Sequence, residues 1–132
     1  MEQALRTAVI DWLTSDTQIF GELNAIAEEE PNTAPPPHLH IAASASVDWS
    51  TKTSRGREVR IALELVHRSD APETTAALAQ RIEQRIATLD PSQPGYRIVV
   101  TQFLRSRAER RARNLRAVLL EYRFRLLKTP TE

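Results

Sequence analysis

Residues 118–126 read Val-Leu-Leu-Glu-Tyr-Arg-Phe-Arg-Leu, so Val118, Leu120, Tyr122, Phe124 and Leu126 alternate with Leu119, Glu121, Arg123 and Arg125. A period of two places the first set on one face of a strand and the second on the other, which predicts a strand with one buried face. Upstream, Tyr96, Ile98 and Val100 alternate in the same way with Arg97, Val99 and Thr101. The two segments make a hairpin. Between them stand Arg105, Arg107, Arg110, Arg111, Arg113 and Arg116 against Glu109 alone, six arginines to one glutamate in a chain whose net charge is only +1. An arm of that charge, held out by two strands, is a fixed basic surface that attracts an anionic partner.

Working outward, a second hairpin precedes this one. Leu39, Ile41, Ala43, Ala45, Val47 and Trp49 alternate with His40, Ala42, Ser44, Ser46 and Asp48. After the polar stretch 50–56 the period restarts, with Val59, Ile61, Leu63 and Leu65 opposite Arg60, Ala62, Glu64 and Val66. Two helices frame these strands. Ala4, Leu5, Ala8, Val9, Trp12 and Leu13 recur at helical spacing and predict a helix over residues 2–14. Thr14, Ser15 and Asp16 then supply caps for a short further turn carrying Ile19, Phe20 and Leu23. Ser69 or Asp70 caps the second main helix, with Pro72 in its first turn. Leu78, Ile82, Ile86 and Leu89 form its buried stripe, and Arg81, Glu83, Gln84 and Arg85 face solvent. Residues 28–37, with four prolines, read as a loop.

The expected fold is therefore α+β: a two-layer sandwich whose antiparallel-rich sheet of two hairpins carries two helices on one face, in the order α-β-β-α-β-β. Val66, Val99 and Leu119 fall on the opposite face, which predicts partial cover by another subunit.

At 132 residues the chain has the size of one domain, spanning residues 1–132, and its 41% hydrophobic and 27% charged content argues against wholesale disorder. Cysteine is absent, which excludes disulfides, thiolate metal sites and cysteine nucleophiles and fits a reducing place of assembly. No stretch approaches the roughly 20 apolar residues of a membrane span. The N-terminus lacks a secretion signal's apolar core. The expectation is a soluble protein, cytoplasmic during assembly and without a membrane partner.

Catalytic readings find little support. No Gly-x-Ser-x-Gly occurs, and three glycines leave no phosphate-cradling loop. His38, His40 and His67 would suit a metal through the His-x-His spacing, yet no cysteine or neighbouring carboxylate joins them in the sequence, and they read as rim or partly buried histidines. Glu28, Glu29 and Glu30 flank a proline-rich loop and read as solvated carboxylates, better suited to docking than to acid–base chemistry. No catalytic residue, cofactor or metal is expected.

Five stretches follow one another along the chain: Ala8-Val9-Ile10-Asp11-Trp12-Leu13-Thr14-Ser15-Asp16, Pro35-Pro36-Pro37-His38-Leu39-His40-Ile41, His67-Arg68-Ser69, Ala77-Leu78-Ala79 and Tyr122-Arg123-Phe124-Arg125-Leu126. In their order and spacing the chain resembles the tail-completion or tail-terminator proteins of long-tailed bacteriophages and gene transfer agents. The resemblance implies a small virion structural protein that assembles as a hexameric ring on the head-proximal end of the tail tube, halts tube growth and docks the head connector or stopper protein. Its partners would be other copies of itself, the tube subunit and the connector.

Three groups are the candidate contact residues: the arm (Arg105, Arg107, Arg110, Arg111, Arg113, Arg116), the first hairpin's tip (Lys52, Arg55, Arg57) and the acidic loop (Glu28, Glu29, Glu30). In a ring, the acidic loop of one copy would meet the basic arm of the next. The arm alone has three readings: a subunit or partner contact, a solvated tip that deters aggregation, or a contact with DNA passing through the lumen. No aromatic interleaves residues 105–116, which disfavours base stacking. The rival functions are a small nucleic-acid-binding α+β domain and another connector-layer component such as a stopper.

Overall fold

The computed structural model describes residues 1–130. In chain order they form α1 (Glu2–Thr14), α2 (Thr17–Glu22), β1 (Ala25–Ala27), β2 (His38–Asp48), β3 (Gly56–Arg68), α3 (Pro72–Ile86), β4 (Ser92–Gln93), β5 (Tyr96–Arg110) and β6 (Leu115–Lys128). The six strands make one sheet in the order β1-β2-β3-β6-β5-β4. The α+β class and both long hairpins are as expected. The simple two-hairpin, two-helix sandwich is not: β1 pairs parallel to β2, which makes the sheet mixed, and the short turn expected after α1 is a third helix in its own right, α2. β1 and β4 are three and two residues long, too short for any period to show in the sequence.

The centre of the sheet is regular. β3 and β6 pair without a slip from Gly56↔Leu127 to Arg68↔Leu115. The flanking strands are not: Ala42 is an extra residue in β2, and Val99 and Leu104 are extra residues in β5. Each bulge reverses which side chains face inward. Past Ala42 the inward positions of β2 pass from the apolar series to Ser44 and Ser46, which pair with Ile61 and Val59. Ser46 donates a 2.6 Å hydrogen bond to Glu2 of α1, and Arg6 donates to Ser44 at 3.2 Å. Ala43, Ala45 and Val47 consequently turn to the other face, and Val47 is 57% exposed. The same reversal in β5 removes Val100 from the inward stripe that Tyr96 and Ile98 begin.

The core joins Leu5, Val9 and Leu13 of α1, Ile19 of α2 and Leu78, Ile82 and Ile86 of α3 to Ile61, Leu63, Leu65, Leu120, Tyr122, Phe124 and Leu126 of the sheet. Each such side chain removed from water contributes about 1.5–3 kcal/mol before entropy is subtracted. Asp16 caps α2, accepting from the backbone N–H groups of Gln18 and Ile19. The N-cap of α3 is Ala71 rather than Ser69 or Asp70; Ser69 instead accepts from the Ala71 N–H at 3.1 Å in a tight turn. Arg85, expected in solvent, lies 3.4 Å from the centroid of the Trp12 ring and ties α3 to α1.

Candidate functional site

The basic arm is the far half of the β5–β6 hairpin rather than a loop between two strands. Its turn is tight. Leu115 N–H donates to the Ala112 carbonyl at 3.3 Å, with Arg113 at φ 62° and Asn114 at φ 60°. The strands pair Arg110 with Arg116 and the Arg111 N–H donates to the Leu115 carbonyl at 2.7 Å, so the loop is Ala112-Arg113-Asn114, with two successive left-handed residues turning the chain. Asn accepts that conformation readily, and arginine does so at some cost.

The six arginines of the arm divide by partner. Arg105 is hydrogen-bonded to Glu121 directly across the hairpin, a bond that holds the Glu121 carboxyl below its ordinary range. Arg111 bridges Glu109 at 2.8 Å and Glu64 at 3.1 Å, and Arg116 donates to the Ser69 carbonyl at 3.1 Å. Among the described residues, no carboxylate lies within 4.0 Å of Arg107, Arg110 or Arg113. These three are the exposed, uncompensated cations of the arm.

Lys52, Arg55 and Arg57 are exposed as well, but at the opposite end of the sheet. Arg57 is level with Asp48 and Leu126, where the β2–β3 tip meets the start of β5. Lys128 joins them there, lining a 340 Å³ hollow with Met1, Arg55 and Arg57. Its place at the end of the last strand gave no sequence signal. The protein thus has two separate basic poles. The acidic residues lie at a third place, beyond β1 on the β2 side. Glu28 is committed within the chain, accepting from Gln3 at 2.8 Å and lying 3.8 Å from Arg6, whereas Glu29 and Glu30 are exposed. Within one copy the acidic loop and the arm do not meet.

The histidines do not converge either. His38 and His40 are buried neighbours on the face away from the helices, with ring centroids 5.6 Å apart. His67 points to the helix side, with Nδ1 3.1 Å from the Thr75 hydroxyl of α3. A carboxylate does stand close, because Glu64 lies 3.6 Å from His40 Nε2. Among the described residues, no group of three metal-ligating side chains forms. Burial, then the neighbouring His40, lowers the pKa of His38 despite Glu30 and Glu64; burial also lowers that of His67. Val66 is buried inside the chain itself, so only Val99 and Leu119 of the expected outer apolar set retain exposure.

Two features escaped the sequence reading. First, β1 covers β2 only at residues 38–40, and β4 covers β5 only at residues 96–97, so most of each long strand has an open outer edge. Second, Phe103 and Leu104 of β5 are 43% and 36% exposed, beside the Val99 already expected on the outer face. Ala43 and Ala45 of β2 and Leu104 of β5 line the same 460 Å³ groove with Arg60, Arg105 and Glu121, which shows how far the sheet curls.

The chain is thus an α+β protein with a curled mixed sheet, long open strand edges and segregated charge. The comparison with known families says which class of protein this is: the family described as tail completion protein gp17 matches residues 7–127, and the chain belongs to it. It is thereby a structural protein of a virion tail. Among solved structures, a chain described as "Virion of native gene transfer agent (GTA) particle" has the same fold, with a TM-score of 0.80 and 22% sequence identity over 95% of this chain and 96% of that one. No curated protein sequence matches. No helix is long and apolar enough to cross a membrane among the described residues.

Proposed function

We propose that this protein is a tail terminator: copies of it close into a hexameric ring that caps the tail tube, ends its polymerisation and joins it to the head connector of a phage or gene transfer agent particle. The observation that carries this reading is the family match, which runs from α1 into β6 and so takes in every element of the fold. The mechanism is geometric. One face of the ring copies the stacking surface of a tube ring and binds the last one, while the other face differs and refuses another. A circle of like subunits needs one patch to fit a different patch on the next copy. The arm, the Lys52, Arg55 and Arg57 tip and the loop of Glu28, Glu29 and Glu30 are the contact residues of this reading. No catalysis or cofactor enters it.

Negative-stain microscopy of the purified protein, alone and with tube subunits, tests it. Discrete rings, seated at the ends of short tubes, are the expected result. Long cylinders from this protein alone would make it a tube subunit, and a monomer under both conditions would remove the reading. Particles assembled without it should carry tails of uncontrolled length or heads left unjoined.

A second reading has one observation in its favour: Arg107, Arg110 and Arg113 are free to take phosphate oxygens. Binding of duplex DNA that weakens steeply between low and physiological salt would support a nucleic-acid role for the arm, and no binding at either would end it.

A further inference from the structure

Three cations converge on the 340 Å³ hollow at the end of the sheet opposite the arm. Arg55 and Arg57 flank Gly56 at the head of β3, and Lys128 closes β6; all three are exposed. Among the described residues, no carboxylate lies within 4.0 Å of any of them. Two carboxylates stand near, and both are engaged elsewhere. Asp48 shares the wall and is level with Arg57, but it accepts from the Ser50 hydroxyl at 2.7 Å. Glu2 accepts from the Ser46 hydroxyl at 2.6 Å, and Arg57 reaches it only through space.

The walls of the hollow are tied to one another. The Gly56 N–H donates to the Ser50 hydroxyl oxygen at 3.0 Å, and the Trp49 N–H donates to the Gly56 carbonyl at 3.0 Å. The Lys128 N–H donates to the Arg55 carbonyl at 2.8 Å, and the Thr129 N–H to the Gly95 carbonyl at 3.0 Å. These bonds lace the strand ends together beneath the cations, so little ordering is left to be done when a ligand arrives.

The shape and the charge select the ligand. Arginine takes a carboxylate through a planar fork of donors, and two arginines with a lysine around one cup suit a projecting acidic segment. A duplex instead lays down a charge every 1.7 Å or so along its length, which a row of cations follows better than a cup does. A second copy set end to end along the strands is disfavoured as well. Its arm would bring the uncompensated Arg107, Arg110 and Arg113 against these cations.

We infer that the hollow framed by Arg55, Arg57 and Lys128 is a carboxylate-binding cup for an acidic segment of a different tail protein. The inference rests on the assembly reading above for the kind of partner and adds the chemistry by which it is held. Free cations at both ends of the sheet also mean that this end recruits an unlike neighbour in preference to its own kind.

Hexaglutamate is the probe, titrated calorimetrically into the full chain at low salt. Binding should be at least about tenfold weaker for the triple variant Arg55→Ser, Arg57→Ser and Lys128→Ser, as the loss of charge-assisted hydrogen bonds requires. Lys128→Ser alone should already weaken it about threefold. The matching triple at the arm, Arg107→Ser, Arg110→Ser and Arg113→Gly, removes the same charge and should change the affinity less than about threefold. Equal losses from the two triples would reveal a general attraction to positive charge and overturn the inference. Duplex DNA of equal charge that binds more tightly than the peptide, and loses its binding with the cup triple, would make this a phosphate site and overturn it too. Glu132→Gln protein that binds the peptide about tenfold more tightly than wild type would make Glu132 the occupant, with the same consequence. No binding of hexaglutamate, beside rings seated on tubes by microscopy, would remove the cup and leave the terminator reading intact. Cup-dependent binding by a protein that never forms rings would support the cup and remove the terminator reading.

Discussion

The Arg85 guanidinium stacks 3.4 Å from the centroid of the Trp12 ring, and each residue donates to the other's carbonyl: Trp12 Nε1 to the Arg85 oxygen at 2.8 Å, Arg85 Nε to the Trp12 oxygen at 3.0 Å. Arg85 also donates to the Ser15 hydroxyl at 2.8 Å. A cation over an indole contributes about 0.5–2 kcal/mol, and a hydrogen bond from a charged donor about 1.5–3 kcal/mol. Arg85→Ala should therefore lower unfolding free energy by about 2–3 kcal/mol in urea titration. Arg85→Lys should recover little of it, because a compact ammonium neither stacks flat on the indole nor presents the fixed planar fork of donors that reaches both oxygens. A loss below about 0.5 kcal/mol, the ordinary range of surface substitutions, would show that the α1–α3 joint does not depend on this pair.

Gly56 opens β3 where the backbone carbonyls of Trp49 and Leu126 would stand 2.5 Å and 2.8 Å from an added Cβ. Neither carbonyl can swing aside as a side chain would. Gly56→Ala should cost about 1–3 kcal/mol, in the range of overpacked sites. An unchanged melting temperature would refute the close approach.

At the arm's tip, Arg113 holds φ 62° without being glycine. A β-branched residue there is worse still, so Arg113→Val should destabilise the hairpin by about 1–2 kcal/mol while Arg113→Gly should not destabilise it. Amide hydrogen exchange along residues 105–120 reads the difference locally, and equal protection in both variants would count against the turn.

His38 and His67 both have pKa values lowered by burial. A lowered value in the folded state means that the unfolded chain binds more protons, so stability is full above the ordinary histidine pKa and is lost as pH falls below about 6.5. Thermal unfolding between pH 7.5 and 5 should show a falling midpoint, and His38→Gln with His67→Gln should flatten that slope. A midpoint that rises on acidification would reverse the assignment.

Arg107, Arg110 and Arg113 have no carboxylate within 4.0 Å among the described residues, so replacing the first two with serine and Arg113 with glycine should change monomer stability by no more than about 0.5 kcal/mol. Under the proposed assembly the same triple variant should form fewer rings by microscopy. A variant that assembles as well as wild type would make the arm a solvated projection.

Long, strongly periodic elements were legible from residue types alone. The stripe of Leu78, Ile82, Ile86 and Leu89 and that of Leu120, Tyr122, Phe124 and Leu126 are buried as their spacing requires. The bulges were not legible, because Ala42 and Val99 look like ordinary members of an alternating run and only the partner strand shows that they are supernumerary. That one ambiguity reversed the facing of Ala43, Ala45 and Val47. Arg85 was misplaced for a related reason: its charge says solvent, and only the fold brings an indole beneath it. The candidate contact residues were visible as charge blocks, yet their separation into two basic poles and an acidic rim is a matter of topology. The free edges left no trace in composition at all.

The difference between a slip-free centre and bulged margins sets where this chain tolerates a change of length. Thirteen paired positions of β3 and β6 run in unbroken step, so one residue gained or lost there would swap every side chain beyond it between oil and water. At Ala42, Val99 and Leu104 the ladder already carries a surplus residue, and removing it would restore simple alternation with the rest of the strand still facing the same way. Insertions and deletions are therefore absorbed at the rims, and the middle of the sheet is the ruler that fixes the size of the protomer.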